Sequence, residues 1–316
     1  MVRLLNLIQN ENMKLYKRLG TWIMIGIVVF AVLAVGVFSK FIMEPNENAN
    51  WKERMQMENV QLQKRLEESP LKGAGETYVK KQVAINNYRI EHDIPPVDSQ
   101  SLWGFMIDAT NFTGIIALFT IVVAGGMVAS EFSWGTIKLL LIRPVSRTKI
   151  ILSKYISTLL FALFSLVLLF GFSFLIGSLF FGLGGADHPY LVYNNGDVQE
   201  NNMITHIIRL FGFNSVDLLM MVTLAFMIST VFRSSSLAIG ISIFLLFTGP
   251  QLAQLLSNYD WVKYVLFANT NLQQYTNGVP LVEGMTMTFS IIVLIVYFII
   301  FITLTWFVFN KRDVAA

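Results

Sequence analysis

The stretch ISTLLFALFSLVLLFGFSFLIGSLFF, from Ile156 to Phe181, decides the fold class. It is long enough to cross the hydrocarbon core of a bilayer as a single helix, and it contains no charged residue. The whole chain shares this character, because 54% of its 316 residues are hydrophobic, 14% are charged and the mean hydropathy is +0.59. A water-soluble fold of this length could not hide so much apolar surface. The sequence therefore predicts an all-α integral membrane protein.

Further apolar runs lie on both sides of this stretch and bring the number of predicted transmembrane helices to six. They cover residues 20–43, 102–129, 155–181, 214–232, 236–256 and 285–309. Gly125-Gly126 in the second run and Gly249-Pro250 in the fifth mark places where a helix kinks or packs closely against a neighbour.

The distribution of lysine and arginine predicts the orientation of these helices. With the N-terminus in the cytoplasm, the inward-facing segments carry twelve lysines and arginines against three acidic residues. The basic residues are Arg3, Lys14, Lys17, Arg18, Lys138, Arg143, Arg147, Lys149, Lys154, Arg233, Lys311 and Arg312. Cytoplasmic segments are enriched in such residues, so both the N-terminus and the C-terminal tail (310–316) are expected inside.

The segments between the predicted helices differ in character. Residues 1–19 form an amphipathic pattern, with leucines and an isoleucine on one face and Glu11 among the polar positions, which is typical of an interfacial helix. Residues 44–101 contain two helical patterns separated by LKGAGE, which predicts a helical hairpin outside the membrane. Residues 182–213 are rich in glycine, asparagine and aspartate and are expected to form a loop. Residues 257–284 mix aromatic and amide side chains, which favours short interfacial or re-entrant helices.

The segment just before the third span, EFSWGTIKLLLIRPVSRTKIILSKY from Glu131 to Tyr155, interrupts the apolar pattern. Its first part, up to Leu141, is compatible with a helix that has Glu131 near its start, where a carboxylate suits the helix dipole. Pro144 ends such a helix, so a turn is expected near Arg143. One interpretation of residues 130–154 is a positively charged hinge whose basic side chains reach the lipid phosphates. The other is a docking helix for a cytoplasmic partner.

This segment resembles the one that follows the second span in ABC type-2 permeases, the membrane subunits of ABC exporters related to bacitracin-resistance and sodium-efflux permeases. The matching residues are Glu131, Phe132, Gly135, Thr136, Ile137, Lys138, Leu139, Leu140, Pro144, Val145, Ser146, Arg147, Ile150, Ile151, Ser153 and Lys154. The six spans, the interfacial N-terminal helix and the aromatic-amide stretch before the last span are similar to the same family.

The resemblance implies a coupling helix that contacts a separate ATP-binding cassette subunit, and a second permease chain, identical or different, at the pore. The residues expected to couple to the ATPase are Glu131, Phe132, Gly135, Thr136, Lys138, Arg143, Pro144 and Arg147. The chain has no Walker motif, so ATP and magnesium are expected on the partner, with no cofactor in this chain. The family also implies export of an amphiphilic substrate, such as an antimicrobial peptide or a lipid-like molecule, across a bacterial plasma membrane.

Two carboxylates fall in or near the predicted spans, where ionisable groups are candidates for function. Asp108 lies beside Asn111 and Thr113, and the three form a candidate polar cluster facing the pore. The alternative is that Asp108 stays in contact with water near the outer interface. Asn214 or Ser215 is expected to cap the fourth span, so the carboxylate of Asp217 is explained by a place in the first helical turn.

Other classes of function receive less support from the sequence. A membrane enzyme acting on lipids would need clustered catalytic groups, whereas the three histidines are scattered. These histidines and the absence of cysteine give no basis for a metal site or a disulfide. The net charge of +3 does not indicate nucleic-acid binding. A nucleotide-independent channel, or a sensory protein that uses the hairpin at 44–101, remains the alternative function.

Overall fold

The computed structural model describes residues 4–43, 50–68, 74–137, 144–194, 196–232, 234–276 and 279–311. Its α-helices, in chain order, are α1 (Leu4–Tyr16), α2 (Leu19–Phe41), α3 (Trp51–Glu68), α4 (Ala74–His92), α5 (Leu102–Ala109), α6 (Thr113–Ser133), α7 (Arg147–Phe181), α8 (Met203–Val231), α9 (Ser235–Leu255), α10 (Leu266–Asn269), α11 (Gln273–Thr276) and α12 (Met287–Lys311). A short antiparallel ribbon of strands β1 (Tyr190–Asn194) and β2 (Asp197–Asn201) precedes α8.

Among the described residues, six helical segments are long and apolar enough to cross a membrane, which confirms the predicted helical membrane architecture. They are α2, the nearly continuous pair α5–α6, α7, α8, α9 and α12. The helices α6 and α8 form the centre of the bundle. Their side chains Ile121, Ala124, Val222 and Ala225 are fully buried, and α7, α9 and α12 pack around them.

A serine on α8 joins α8 to α6 by hydrogen bonds. The Ser229 hydroxyl donates to the carbonyl of Gly125 at 2.7 Å and accepts from the amide of Ala129 at 3.1 Å. A side chain at position 125 would also meet Ile239 of α9 at 2.8 Å, so the missing side chain of Gly125 lets three helices approach. Gly126 has open space around it. Of the two glycines, the first is therefore the one required for close packing.

The predicted helical hairpin is present as α3 and α4, with the connection at 69–73 outside the described residues. The two helices are joined by amides: Asn86 donates to Asn59 at 3.0 Å, and Asn59 donates to Asn87 at 2.8 Å. The Tyr88 hydroxyl donates to Glu200 of β2 at 3.1 Å. This contact anchors the hairpin to the strands that precede α8.

The segment 182–213 differs from the predicted loop. It contains the β1–β2 ribbon, whose register pairs Tyr190 with Asn201, and the first three turns of α8. The turn uses Gly196 at φ +101°, a conformation that glycine adopts without strain. Leu191 and Val192 bury their side chains, although the surrounding asparagines and glycines suggested irregular structure. The same residue types are typical of loops and of tight hairpin turns, so composition alone did not separate the two.

The segment 257–284 folds into the expected short helices: a 3-10 turn at Asp260–Tyr264, then α10 and α11. Asn269 is fully buried and donates to the carbonyls of Lys263 and Val265, both at 2.8 Å. Its side-chain oxygen accepts from Ser290 of α12 at 2.6 Å. The amide side chains of this segment thus hydrogen-bond to backbone carbonyls of its short helical turns, which suits non-helical backbone near lipid.

Candidate functional site

The end of α6 corrects one sequence-based expectation. The helix continues through Glu131 to Ser133 and ends in a turn at Trp134, so Glu131 lies in the last helical turn and not in the first turn of a new helix. A carboxylate there faces the negative end of the helix dipole and needs compensation from elsewhere. The turn passes through Gly135 at φ +71°. Lys138 and Arg143, both expected in the coupling helix, lie outside the described residues.

Compensation comes from Lys154 on α7. Its ammonium lies 2.9 Å from Glu131 and 2.8 Å from Glu11 of α1. Lys14 is 2.8 Å from Glu11 and 3.9 Å from Glu131. These four residues, Glu11, Lys14, Glu131 and Lys154, form what we call the ion cluster. It balances two carboxylates with two ammonium groups and joins three helices.

Three members of the ion cluster are largely withdrawn from water, whereas the fourth, Lys14, is 40% exposed. Lys154 is 2% exposed, and the two carboxylates are also largely buried. Burial by itself would raise the pKa of Glu11, but the charges and hydrogen bonds of Lys154 and Lys14 outweigh it and hold that pKa below its ordinary value. The Thr136 hydroxyl donates to the second oxygen of Glu131. Each of the two carboxylates thus has the buried ammonium of Lys154 within 2.9 Å and a further donor beside it.

The burial of Glu11 is a second difference from the sequence-based prediction, which placed Glu11 among the polar positions of α1. The helix turns Glu11 and Leu15 inward. A signal for this was present, because Leu4, Ile8, Glu11 and Leu15 follow the spacing of one helical face. A carboxylate on the apolar face of an amphipathic helix indicates a buried partner, and Lys154 is that partner.

Other contacts gather at the same end of the bundle. Arg147 donates to the carbonyl of Asn310 at 3.0 Å, and the Trp306 indole donates to Thr148 at 3.1 Å, so the start of α7 is tied to the end of α12. The Thr21 hydroxyl of α2 donates to the carbonyl of Leu15 at 2.6 Å. Three further helices, α2, α6 and α12, therefore contact α1 or α7 at this end of the bundle.

The turn below the ion cluster presents an aromatic side chain. Trp134 is 67% exposed, with the Arg18 guanidinium 5.8 Å from its ring centre. Phe132 packs against the core, and Pro144 is exposed where the described chain resumes. The predicted coupling residues Glu131, Phe132, Gly135, Thr136, Pro144 and Arg147 lie at this end of the bundle.

The candidate pore residues lie elsewhere, where the second span is interrupted. A 3-10 turn at Thr110–Phe112 separates α5 from α6. Asp108 and Asn111 are exposed on the surface of the bundle, and the Thr113 hydroxyl donates to the carbonyl of Thr110 at 2.7 Å. The break between α5 and α6 is sufficient to account for Asp108, Asn111 and Thr113 as polar residues beside a helix interruption. A role in a pore stays a prediction, since in this chain the two side chains point away from the core.

Comparison with known proteins gives relatives without an assigned activity. The chain is 47% identical to "Uncharacterized protein YhcI" of Bacillus subtilis (strain 168) over 315 residues, which are 99% of this chain and 100% of that protein. It is 33% identical to "Uncharacterized membrane protein YdbK" of the same organism over 214 residues, 67% of this chain and 82% of that protein. Together with the six apolar helices, this similarity identifies a multi-pass membrane protein. A family model matches residues 77–315, and the chain therefore belongs to the family described as "Protein of unknown function (DUF2705)".

Proposed function

We propose that the chain is the membrane-spanning subunit of an ATP-driven exporter of amphiphilic molecules in a bacterial plasma membrane. A separate ATP-binding cassette subunit would hydrolyse ATP with its bound magnesium, and a second permease chain would complete the pore. The proposal extends the resemblance of the 131–154 segment to ABC type-2 permeases.

The observation that supports this proposal best is the ion cluster above the exposed turn at Trp134. A surface that receives force from a motor must be stiff, because a loose loop would absorb the movement. Here the turn is attached to Glu131, whose carboxylate is held by Lys154 at the start of the third span and is linked through it to α1. A displacement of the turn would reach α1, α6 and α7 together.

The charge pattern also favours this assignment. The segments 1–19, 130–154 and 310–316 carry eleven of the twelve lysines and arginines that the positive-inside rule assigns to the cytoplasm, where an ATPase could reach them. The sequence contains no phosphate-binding loop of its own. Energy for transport must then enter through a protein contact, and Trp134 is an exposed aromatic residue of the kind that dominates such contacts.

The first prediction tests docking with the intact chain. We expect Trp134→Ala to lower the amount of candidate ATPase that copurifies from a co-expressing strain, and to lower substrate-stimulated ATP hydrolysis, by about tenfold or more. The matched control is Trp261→Ala, which removes a comparably exposed tryptophan (55%) in the segment between the end of α9 and the start of α12. That variant should behave like the wild type.

Two results would contradict the proposal. One is equal loss, or no loss, of ATPase binding in both tryptophan variants. The other is ion conductance or substrate flux through the purified chain without nucleotide or ATPase, which would favour the channel instead.

A further inference from the structure

Asp217 lies in a place that the sequence did not predict. The helix α8 starts at Met203 and is capped by Asn202, whose side chain accepts from the amides of Ile204 and Thr205 at 3.0 and 3.2 Å. Asp217 is therefore in the middle of a membrane helix and not in its first turn. The helix dipole no longer accounts for its charge, and a carboxylate at this depth is costly unless it has a partner or a function.

A cavity of about 280 Å³ opens beside this carboxylate. Its walls come from α8, from the proline-containing part of α9 and from the chain that links α10 to α11. They include Phe213, Asn214, Pro250, Phe267 and Thr270. The surface is mixed: two aromatic rings stand next to one carboxylate, one hydroxyl and amide groups.

The polar groups around the cavity are held in place. Thr270 lines the cavity together with Asp217, and Thr270 itself is buried. The Gln273 amide donates to the Asn214 oxygen at 2.8 Å, which joins α11 to α8. Gly249 lets the ring of Phe267 lie directly against α9, since a side chain there would come within 2.6 Å of the ring. The cavity is thus built by contacts between three elements.

The charge of Asp217 is not balanced within the described part of the chain. The ion pairs found there involve other carboxylates, and none includes Asp217. Glu131, by contrast, has a lysine at 2.9 Å. A single carboxylate with one hydroxyl is a poor set of ligands for a divalent cation, which prefers several carboxylate or carbonyl oxygens. It suits an ammonium group, whose N–H donors can use the carboxylate and the amide oxygens.

We propose that this cavity binds a primary ammonium group carried on an apolar body. The ammonium would pair with Asp217, and the apolar part would lie between Phe213 and Phe267, where an aromatic face also attracts a cation. The volume fits a small molecule or the terminal part of a larger one. A soluble amine and the ethanolamine headgroup of a lipid share this chemistry. The proposal concerns binding only and holds with or without an ATPase partner.

The experiment uses the full chain in phosphatidylcholine nanodiscs, without nucleotide, and measures binding by ligand-observed NMR. The probe is phenethylammonium, and its neutral counterpart of similar shape is 2-phenylethanol. We expect the wild type to bind the ammonium about tenfold more tightly than the alcohol. Asp217→Asn should remove this preference because it keeps the shape and removes the charge. The control Asp187→Asn, which changes an exposed carboxylate before β1, should keep it.

Equal affinity of the wild type for the two probes would overturn the proposal, and that comparison needs no variant to fold. A preference that survives in Asp217→Asn would also overturn it. Adding phosphatidylethanolamine to the nanodiscs then separates the sources: displacement of the probe assigns the cavity to a lipid headgroup, and undisturbed binding assigns it to a soluble amine. Because no ATPase is present, failure here leaves the proposed exporter function untouched, and the reverse is also true.

Discussion

At the scale of single residues, the charge of Lys154 acts as a structural bridge. In the sequence it is one more basic residue at the cytoplasmic end of a span, where most lysines extend toward the headgroups. In the structure its ammonium is buried between Glu11 and Glu131 and stabilises two carboxylates that would otherwise repel each other. The difference arises because its partners come from distant parts of the chain. Spacing along α7 carries no information about either of them.

Replacing Lys154 tests this bridge. Lys154→Met keeps the length and apolar stem of the side chain but leaves two buried carboxylates with only Lys14 nearby, so we expect a loss of about 3 kcal/mol in stability. The measurement is the midpoint of thermal unfolding of the full chain in detergent. Adding Glu11→Gln to this variant should recover part of the loss, since one unpaired charge is then removed. Lys64→Met, which breaks an exposed pair with Glu68, should change the midpoint little; a similar drop in both single variants would contradict the bridge.

At the scale of helices and strands, the sequence predicted the existence of elements better than their ends. Six apolar runs were sufficient to count the spans, because lipid requires about twenty apolar residues for each. The start of α8 was missed because Asn214 to Asp217 has the composition of a helix cap, although Asn202 is the cap that forms. The end of α6 was missed for a similar reason. Glu131 suits the start of a helix locally, but its tertiary contact with Lys154 permits it at the end.

The packing of α9 can be tested with two glycines of the same helix. In Gly249→Ala the new methyl group would lie 2.6 Å from the ring of Phe267, and a residue before Pro250 is also disfavoured in helical conformation unless it is glycine. We expect a loss of about 1–3 kcal/mol, measured as a lower midpoint of thermal unfolding. Gly240→Ala meets open space and should raise the midpoint slightly through its better helix propensity. Equal effects of the two substitutions would mean that Phe267 does not pack against Gly249.

At the scale of the whole molecule, two kinds of surface remain. One is the broad apolar surface of α2, α9 and α12, whose outward side chains include Phe30, Phe244 and Ile299 and which is suited to lipid or to a second permease chain. The other consists of the two ends of the bundle, which differ in chemistry. One end carries the ion cluster and Trp134, and the other carries the α3–α4 hairpin. The ammonium-binding cavity proposed above opens between α8, α9 and the α10–α11 link. The function of each end depends on which side of the membrane it faces.

The absence of natural cysteine allows a direct test of that orientation. We expect Lys64→Cys, an exposed position on the outer hairpin, to react with a membrane-impermeant maleimide in intact cells. Lys17→Cys, an exposed position just after α1, should react only after the membrane is permeabilised, because the positive-inside rule places α1 and the ion cluster in the cytoplasm. The unsubstituted chain supplies the background, since it offers no thiol. Labelling of Lys17→Cys in intact cells would place the Trp134 turn outside, where no cytoplasmic ATPase could reach it, and the exporter proposal would then fail whatever the tryptophan variants show.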